Sequence, residues 1–168
     1  MSTGNIANSV SRDLAMLEDA ELYAVSSRTQ AAADAFAHTL GFAKGYGGDD
    51  GDVPGYQRLF DDPAVDVVYV ATPHAQHFQI AAAALRAGKH VLCEKALTIN
   101  AREASELVKL AREQNVFFME AVWSRFLPSM QRAFEIAASG GARTDPVGQR
   151  RPRLPGTLRS RCTNLGPQ

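Results

Sequence analysis

Hydrophobic positions along the chain follow two alternating rhythms. Ile6, Val10, Leu14 and Leu17 recur at three- and four-residue spacing, which predicts an amphipathic helix over residues 5–17. Residues 22–26 are a short apolar run and read as a strand. Thr29 caps a second helix carrying Ala33, Phe36, Ala37 and Leu40, closed by Gly41. Residues 45–55 hold five Gly, three Asp and Pro54, and read as a loop. Residues 56–60 fit a short helix. Residues 65–71, Val-Asp-Val-Val-Tyr-Val-Ala, are β-branched and almost continuously apolar, the pattern of a strand buried on both faces. An Ala-rich helix over 77–87 stops at Gly88, a favoured residue just past a helix end. Residues 90–94 form the next strand. Asn100 and Glu103 have capping-box spacing and open a helix through Leu107, Val108 and Ala111. Residues 116–119 are a further strand, and 128–139 a last helix before Gly140-Gly141.

Strands alternating with helices of this length require crossover connections, which implies an α/β fold with a doubly wound parallel sheet. Such sheets bind ligands beyond the carboxyl ends of their strands, at the reversal of strand order. The residues that follow each strand are therefore the place to look for chemistry.

Composition narrows the classes. Of 168 residues, 45% are hydrophobic and 21% charged, enough apolar surface for one globular core. The formal net charge is zero, which gives no electrostatic reason to expect nucleic acid or a membrane surface as partner. No apolar run approaches the length of a membrane span, and the N-terminus lacks a signal-peptide pattern. Cys93 and Cys162 have no zinc-like spacing and no disulfide framework, so a reducing cytoplasm is expected.

The strand ends, in order, read Gly4-Asn5-Ile6-Ala7, Ser26-Ser27-Arg28, Ala71-Thr72-Pro73-His74, Cys93-Glu94-Lys95 and Met119-Glu120-Ala121. This ordered set resembles the Gfo/Idh/MocA oxidoreductases. Ala-Thr-Pro-His-x-x-His, Asn-x-x-Glu-Ala and Phe-Met-Glu-Ala-x-Trp-x-Arg-Phe are most similar to the dihydrodiol dehydrogenase branch. The likeness covers roughly residues 2–140. It implies a Rossmann-like domain that binds NAD or NADP. The implied reaction moves a hydride between the nicotinamide and an alcohol or carbonyl of a sugar, polyol or diol.

The likeness assigns roles residue by residue. Gly4, Asn5 and Ile6 would form the phosphate turn, although Ser2 stands where the fingerprint has its first Gly. No acid follows the second strand to accept from a ribose 2′-hydroxyl. Ser27 and Arg28 would instead meet a 2′-phosphate, which favours NADP over NAD; otherwise Arg28 is a solvated charge. Ala71, Thr72 and Pro73 would line the nicotinamide side. His77 would face cofactor or substrate, or else be purely structural. His74 and His77 lack a third ligand, so no metal is expected. Lys95 would be the catalytic residue, orienting the substrate oxygen and helping to move its proton. Glu94 would hold Lys95 and the cofactor ribose. Ala96 stands where the family has Pro, so a fixed φ is lost and the backbone at Lys95 is expected to wander. Trp123 would pack beside the nicotinamide or lie in the core, and Arg125 would contact cofactor or substrate.

Two further expectations concern the ends. The first strand of the fold, placed centrally between the strands at 22–26 and 65–71, is not found. Its absence is expected to leave those two unpaired along their facing edges. The C-terminal substrate domain, through which the family pairs into oligomers, is not found either. Residues 1–140 read as the nucleotide-binding domain. Residues 141–168 hold six Arg, no Lys and one Asp, and read as a disordered Arg/Pro-rich tail or a frameshift product. A non-catalytic nucleotide-binding remnant and a truncated product without function are the alternatives to an enzyme.

Overall fold

The computed structural model of the chain describes residues 2–50 and 53–139. The expected tail, with Cys162, lies outside them. The chain divides into two compact units, Met1–Ala121 and Val122–Gln168. In the first, α1 (Asn5–Leu14) leads into β1 (Ala24–Ser27), α2 (Gln30–Leu40) and β2 (Lys44–Gly47). A small hairpin of β3 (Asp49–Asp50) and β4 (Val53–Pro54) precedes α3 (Gly55–Asp61). Then come β5 (Val67–Val70), α4 (His74–Arg86), β6 (His90–Cys93), α5 (Ala101–Glu113) and β7 (Phe118–Glu120). The second unit holds a 3-10 turn over Trp123–Phe126 and α6 (Pro128–Ala138).

All the strands longer than two residues pair in parallel, as the alternation requires. β1 lies beside β2, with Ala24 opposite Lys44 and Ser27 opposite Gly47. β5, β6 and β7 form a second sheet, with Val70 opposite Cys93 and Cys93 opposite Glu120. Among the described residues no ladder joins β1 to β5, the position where a central strand is expected. Ser2 donates its N–H to the Ser26 carbonyl at 3.1 Å on that open edge.

The core lies between the three-stranded sheet and its helices. Val68, Val70, Val91 and Cys93 project to one face by strand alternation and are buried with Ile80, Ala81, Ala84 and Leu85 of α4. Leu107 and Ala111 of α5 join the same cluster. Each large aliphatic side chain here contributes about 1.5–3 kcal/mol by burial. Two sequence expectations need correction. The strand at 65–71 is not buried on both faces: Val67 is 59% exposed, since its face of the sheet carries less cover than the face under α4. In α1 the buried positions are Ala7 and Ser11, with Val10 and Leu14 half-buried beside them, while Ile6 is exposed. The helix ends at Leu14, so the exposed Leu17 lies beyond it.

The stretch read as a loop from residue 45 also holds strands, β2 through Gly47 and the short β3 and β4. Gly45 and Gly47 lie within β2 because α2 rests directly upon it. A Cβ on Gly47 would collide with the Thr29 carbonyl oxygen, and one on Gly45 would sit 3.0 Å from the Ala33 carbonyl carbon. Glycine is needed here for helix–strand packing, so its abundance is misleading as a turn signal.

Asp62, just after α3, gathers the amino ends of the strands. Its Oδ2 accepts from Tyr46 at 2.7 Å, Lys44 at 2.8 Å and Tyr23 at 3.2 Å. Its carbonyl accepts from Lys89 Nζ at 2.9 Å. Tyr23 precedes β1, Lys44 begins β2 and Lys89 precedes β6, so both sheets start at this residue.

Two outcomes follow for stability. Gly47→Ala should destabilise the protein by at least about 1–3 kcal/mol, the usual cost of overpacking, because the colliding atoms are backbone; urea melts measure it. The Lys44 and Tyr46 donors hold the Asp62 carboxyl well below its ordinary value of 3.8. A carboxylate depressed in this way stabilises the fold fully above its unfolded pKa, and the stabilisation is lost progressively as pH falls from there through the depressed folded value. Asp62→Asn should thus lower Tm by a few degrees at neutral pH, with a gap that begins to narrow below about pH 4. Melts at pH 7 and pH 3 compare the two.

Candidate active site

The first cluster forms where α1 meets β1. Gly4 is the N-cap of α1, with extended backbone, and no side chain caps the helix. The turn is attached to the strand end: Thr3 Oγ1 lies 3.2 Å from Ser27 Oγ. Gly4 N–H is met by Ser2 Oγ at 3.2 Å. Asn5 and Ile6 are exposed. An uncapped helix start presents N–H groups and positive dipole to an anion. The room is there as well, since a Cβ on Gly4 would meet only Ser2 Oγ, at 3.5 Å. Arg28 is exposed beyond Ser27, and Thr29 Oγ1 caps α2 by accepting from Ala32 N–H at 3.2 Å.

The second cluster follows β5. Ala71 is buried, and Pro73 leads into α4 with no side-chain cap. Thr72 Oγ1 is shielded from solvent yet has no hydrogen-bond partner. A buried hydroxyl without a partner is costly, and a ligand oxygen would relieve it. His77, expected to face cofactor or substrate, is instead fully buried. Its Nε2 lies 2.8 Å from the Thr72 carbonyl and its Nδ1 2.9 Å from the Ala96 carbonyl. Neither ring nitrogen remains for a ligand. Its place is structural, tying the turn after β5 to the turn after β6. Among the described residues no group of three His, Cys, Asp or Glu could hold a metal ion.

The third cluster is the turn after β6. Glu94 is 8% exposed, and its N–H extends the ladder to the Val70 carbonyl at 2.9 Å. Its Oε1 accepts from Tyr69 Oη at 2.7 Å and its Oε2 from the Lys95 N–H at 3.1 Å. Glu120 Oε1, from the end of β7, accepts from Leu97 N–H at 2.8 Å. The Lys95–Ala96 peptide bond is cis. The Lys95 side chain is exposed. Although Pro is absent, the backbone around Lys95 does not lack restraint. Hydrogen bonds meet it at Glu94, Lys95, Ala96 and Leu97, from β5, α4 and β7.

The second unit holds Trp123 and Arg125 on its 3-10 turn. Trp123 is 68% exposed, which rules out the core reading for it. Arg125 is half-buried.

A family model described as an oxidoreductase family with an NAD-binding Rossmann fold matches residues 3–122. The chain belongs to the Gfo/Idh/MocA family. Trans-1,2-dihydrobenzene-1,2-diol dehydrogenase of Mus musculus is 42% identical over 142 residues, covering 83% of this chain and 40% of that protein. D-xylose 1-dehydrogenase (NADP(+)) of Hypocrea jecorina is 41% identical over 152 residues, covering 83% of this chain and 37% of that protein. The chain thus spans about two fifths of the length of these relatives. Among solved structures, KijD10, a 3-ketoreductase from Actinomadura kijaniata in complex with TDP-benzene and NADP, superposes with a TM-score of 0.72 at 31% identity. The match covers 83% of this chain and 42% of that one. An NAD binding oxidoreductase from Klebsiella pneumoniae superposes at 0.63 with 37% identity, over 80% of this chain and 33% of that one. Family, branch and Rossmann-like fold agree with the motifs at the strand ends.

For a Gfo/Idh/MocA domain the residues present fit a dinucleotide. An open glycine turn opens an uncapped helix, an orphaned Thr72 hydroxyl follows β5, and an exposed ammonium follows the neighbouring β6. The strand-end motifs do not mark Tyr69, and they include Glu120 without giving it a role. The available signal was a lone hydroxyl-bearing residue in a valine strand, and a carboxylate recurring at two strand ends.

Cys93, one residue before Glu94, is not a nucleophile here. Burial, with Glu120 and Glu94 nearby, pushes its thiol up to about 12. Reactivity follows the thiolate. Iodoacetamide at pH 8 should leave Cys93 unmodified in the native protein and label it after denaturation. Peptide mass spectrometry separates the two.

Proposed function

We propose that this chain is the nucleotide-binding part of an NADP-preferring dehydrogenase acting on an alcohol or carbonyl of a sugar, polyol or diol. The observation that carries the proposal is Lys95: an exposed ammonium on a strand-end turn whose backbone is tied to three other elements. The nicotinamide cofactor, when bound, supplies the hydride chemistry. The chain's own residues do the rest. The α1 amides after Gly4 hold the pyrophosphate. Ser27 and Arg28 meet the 2′-phosphate, and Thr72 offers its free hydroxyl beside Ala71 and Pro73. The Glu94 carboxylate accepts from the ribose on the nicotinamide side. Lys95 donates to the substrate oxygen, stabilises the alkoxide as it develops and hands over a proton in reduction. In oxidation the same nitrogen receives the hydroxyl proton.

The preference for NADP rests on this chain's own strand end, Ser26-Ser27-Arg28, which has a guanidinium and no carboxylate. Two relatives support it, one named as an NADP(+) enzyme and one solved with NADP. The unpaired, buried Cys93 suits a reducing cytoplasm. Among the described residues no helix is long and apolar enough to cross a membrane.

Titration of the full chain tests the proposal. A ligand that binds only the folded state, at 100 times its Kd, adds about 2.7 kcal/mol of stability. NADPH should raise Tm by more than NADH at equal concentration. Arg28→Ala should weaken NADPH about tenfold or more and leave NADH unchanged, as loss of one charged hydrogen bond implies. No shift with either nucleotide would remove the proposal.

A further inference from the structure

Tyr69 is the only polar side chain among the four residues of β5, a strand otherwise of valine. It lies in register with Leu92 on β6, and Glu94 is two residues further on. The two-residue period puts Tyr69, Leu92 and Glu94 on one face of the sheet. The diagonal from Tyr69 to Glu94 is within reach of a long aromatic side chain. The phenol closes that gap with a 2.7 Å hydrogen bond to Glu94 Oε1. The other carboxylate oxygen is already fixed by the Lys95 N–H at 3.1 Å. One donor comes from a neighbouring strand and one from the same turn, so the carboxyl plane has little freedom left.

A carboxylate offers roughly four acceptor sites. Tyr69 and Lys95 N–H use two, which leaves acceptor capacity for a ligand hydroxyl on each oxygen. Burial of the phenol, and then its bond to Glu94, raise the Tyr69 pKa, so the hydroxyl stays the donor and Glu94 the acceptor at working pH. A free glutamate has several rotatable bonds to order when it binds something. Here that ordering is complete beforehand, which is the condition under which a hydrogen bond to ligand contributes most.

We propose that Tyr69 is a positioning residue for nucleotide binding: its hydroxyl presets the Glu94 carboxylate to accept from the vicinal diol of a bound ribose. The proposal rests on the nucleotide reading of the site and deepens it. Tyr69 itself touches no ligand and acts through Glu94.

Calorimetric titration of the full chain with NADPH tests this, with thermal melts of each unliganded variant alongside. Tyr69→Phe keeps the ring and removes the donor. It should weaken NADPH about tenfold, the effect of one hydrogen bond to a charged group, and the melt reports separately what the lost bond costs the unliganded fold. Tyr69→Met, which fills an irregular gap, is the second variant if the first does not fold, and should show the same loss. Glu94→Ala should weaken binding on its own, and adding Tyr69→Phe to it should cost nothing more. Wild-type affinity in Tyr69→Phe, with or without a lower melt, would overturn the positioning role and leave the nucleotide reading intact. Equal losses from Tyr69→Phe in the presence and absence of Glu94 would also overturn it. Failure of the unaltered chain to bind NADPH would remove both.

Discussion

The bond set around Asp62 is the constraint on which the site depends. The two sheets share no ladder among the described residues, so backbone hydrogen bonding does not align them. Side chains do. One carboxylate oxygen receives Tyr23, Lys44 and Tyr46 from the first sheet, and the carbonyl of the same residue receives Lys89 from the start of β6. α3 adds packing against β1, β2 and α4. β1 and β2 run parallel to each other, as do β5, β6 and β7, and Asp62 bonds near the amino ends of both sheets. The Thr72 turn and the Lys95 turn follow neighbouring parallel strands, β5 and β6, and so lie at the same edge of that sheet. The aspartate takes no part in the chemistry at that edge, yet it ties the two sheets together.

Much of this architecture is legible in the sequence, and the misreadings have identifiable causes. Periodicity marks each long element, because burial of one face is what both selects apolar residues and stabilises the element. Strand-end motifs mark the site, because parallel sheets expose those ends to ligand. Glycine at 45 and 47 misleads, since it serves close packing there and turning elsewhere. Ile6 misleads because α1 is most deeply buried through Ala7 and Ser11, small residues that give little signal on a hydrophobicity scale, and Leu17 because the helix ends at Leu14. Strand register is the larger blind spot. Tyr69 and Glu94 meet across two strands, and Glu120 reaches Leu97 from a third; no local pattern states which residue stands opposite which. His77 shows the same limit in reverse. Its spacing from Thr72-Pro73 leaves a ligand-facing ring and a structural one both open, and only the fold reveals that each ring nitrogen faces a backbone carbonyl.

The replacement of Pro by Ala at position 96 illustrates how a local rule yields to its surroundings. Proline restricts φ through covalent geometry, without help from neighbours. Alanine does not, so local reasoning expects a looser turn. Here the turn is met at four successive residues by partners on β5, α4, β7 and its own Glu94. Restraint supplied by hydrogen bonds differs from restraint supplied by a ring in one respect. It depends on the donors and acceptors remaining in place, so it is shared among Tyr69, His77 and Glu120. A change at any of the three would be felt at Lys95.

That sharing matters most for a lysine. Its ammonium sits on a flexible four-carbon stem and carries no planar fork to fix direction. An exposed Lys95 side chain cannot position itself, so whatever precision it has must come from the placement of its Cα. Fixing the backbone on both sides, through Glu94 before it and Ala96 and Leu97 after it, limits where the stem can begin while leaving the nitrogen free to follow a substrate oxygen. The carboxylate that anchors one side of this turn is the one proposed to hold the ribose. Nucleotide position and ammonium position would then be set by the same buried Glu94. The separation between ring carbon and proton donor would in that case be a property of one strand end, rather than of two sites aligned independently.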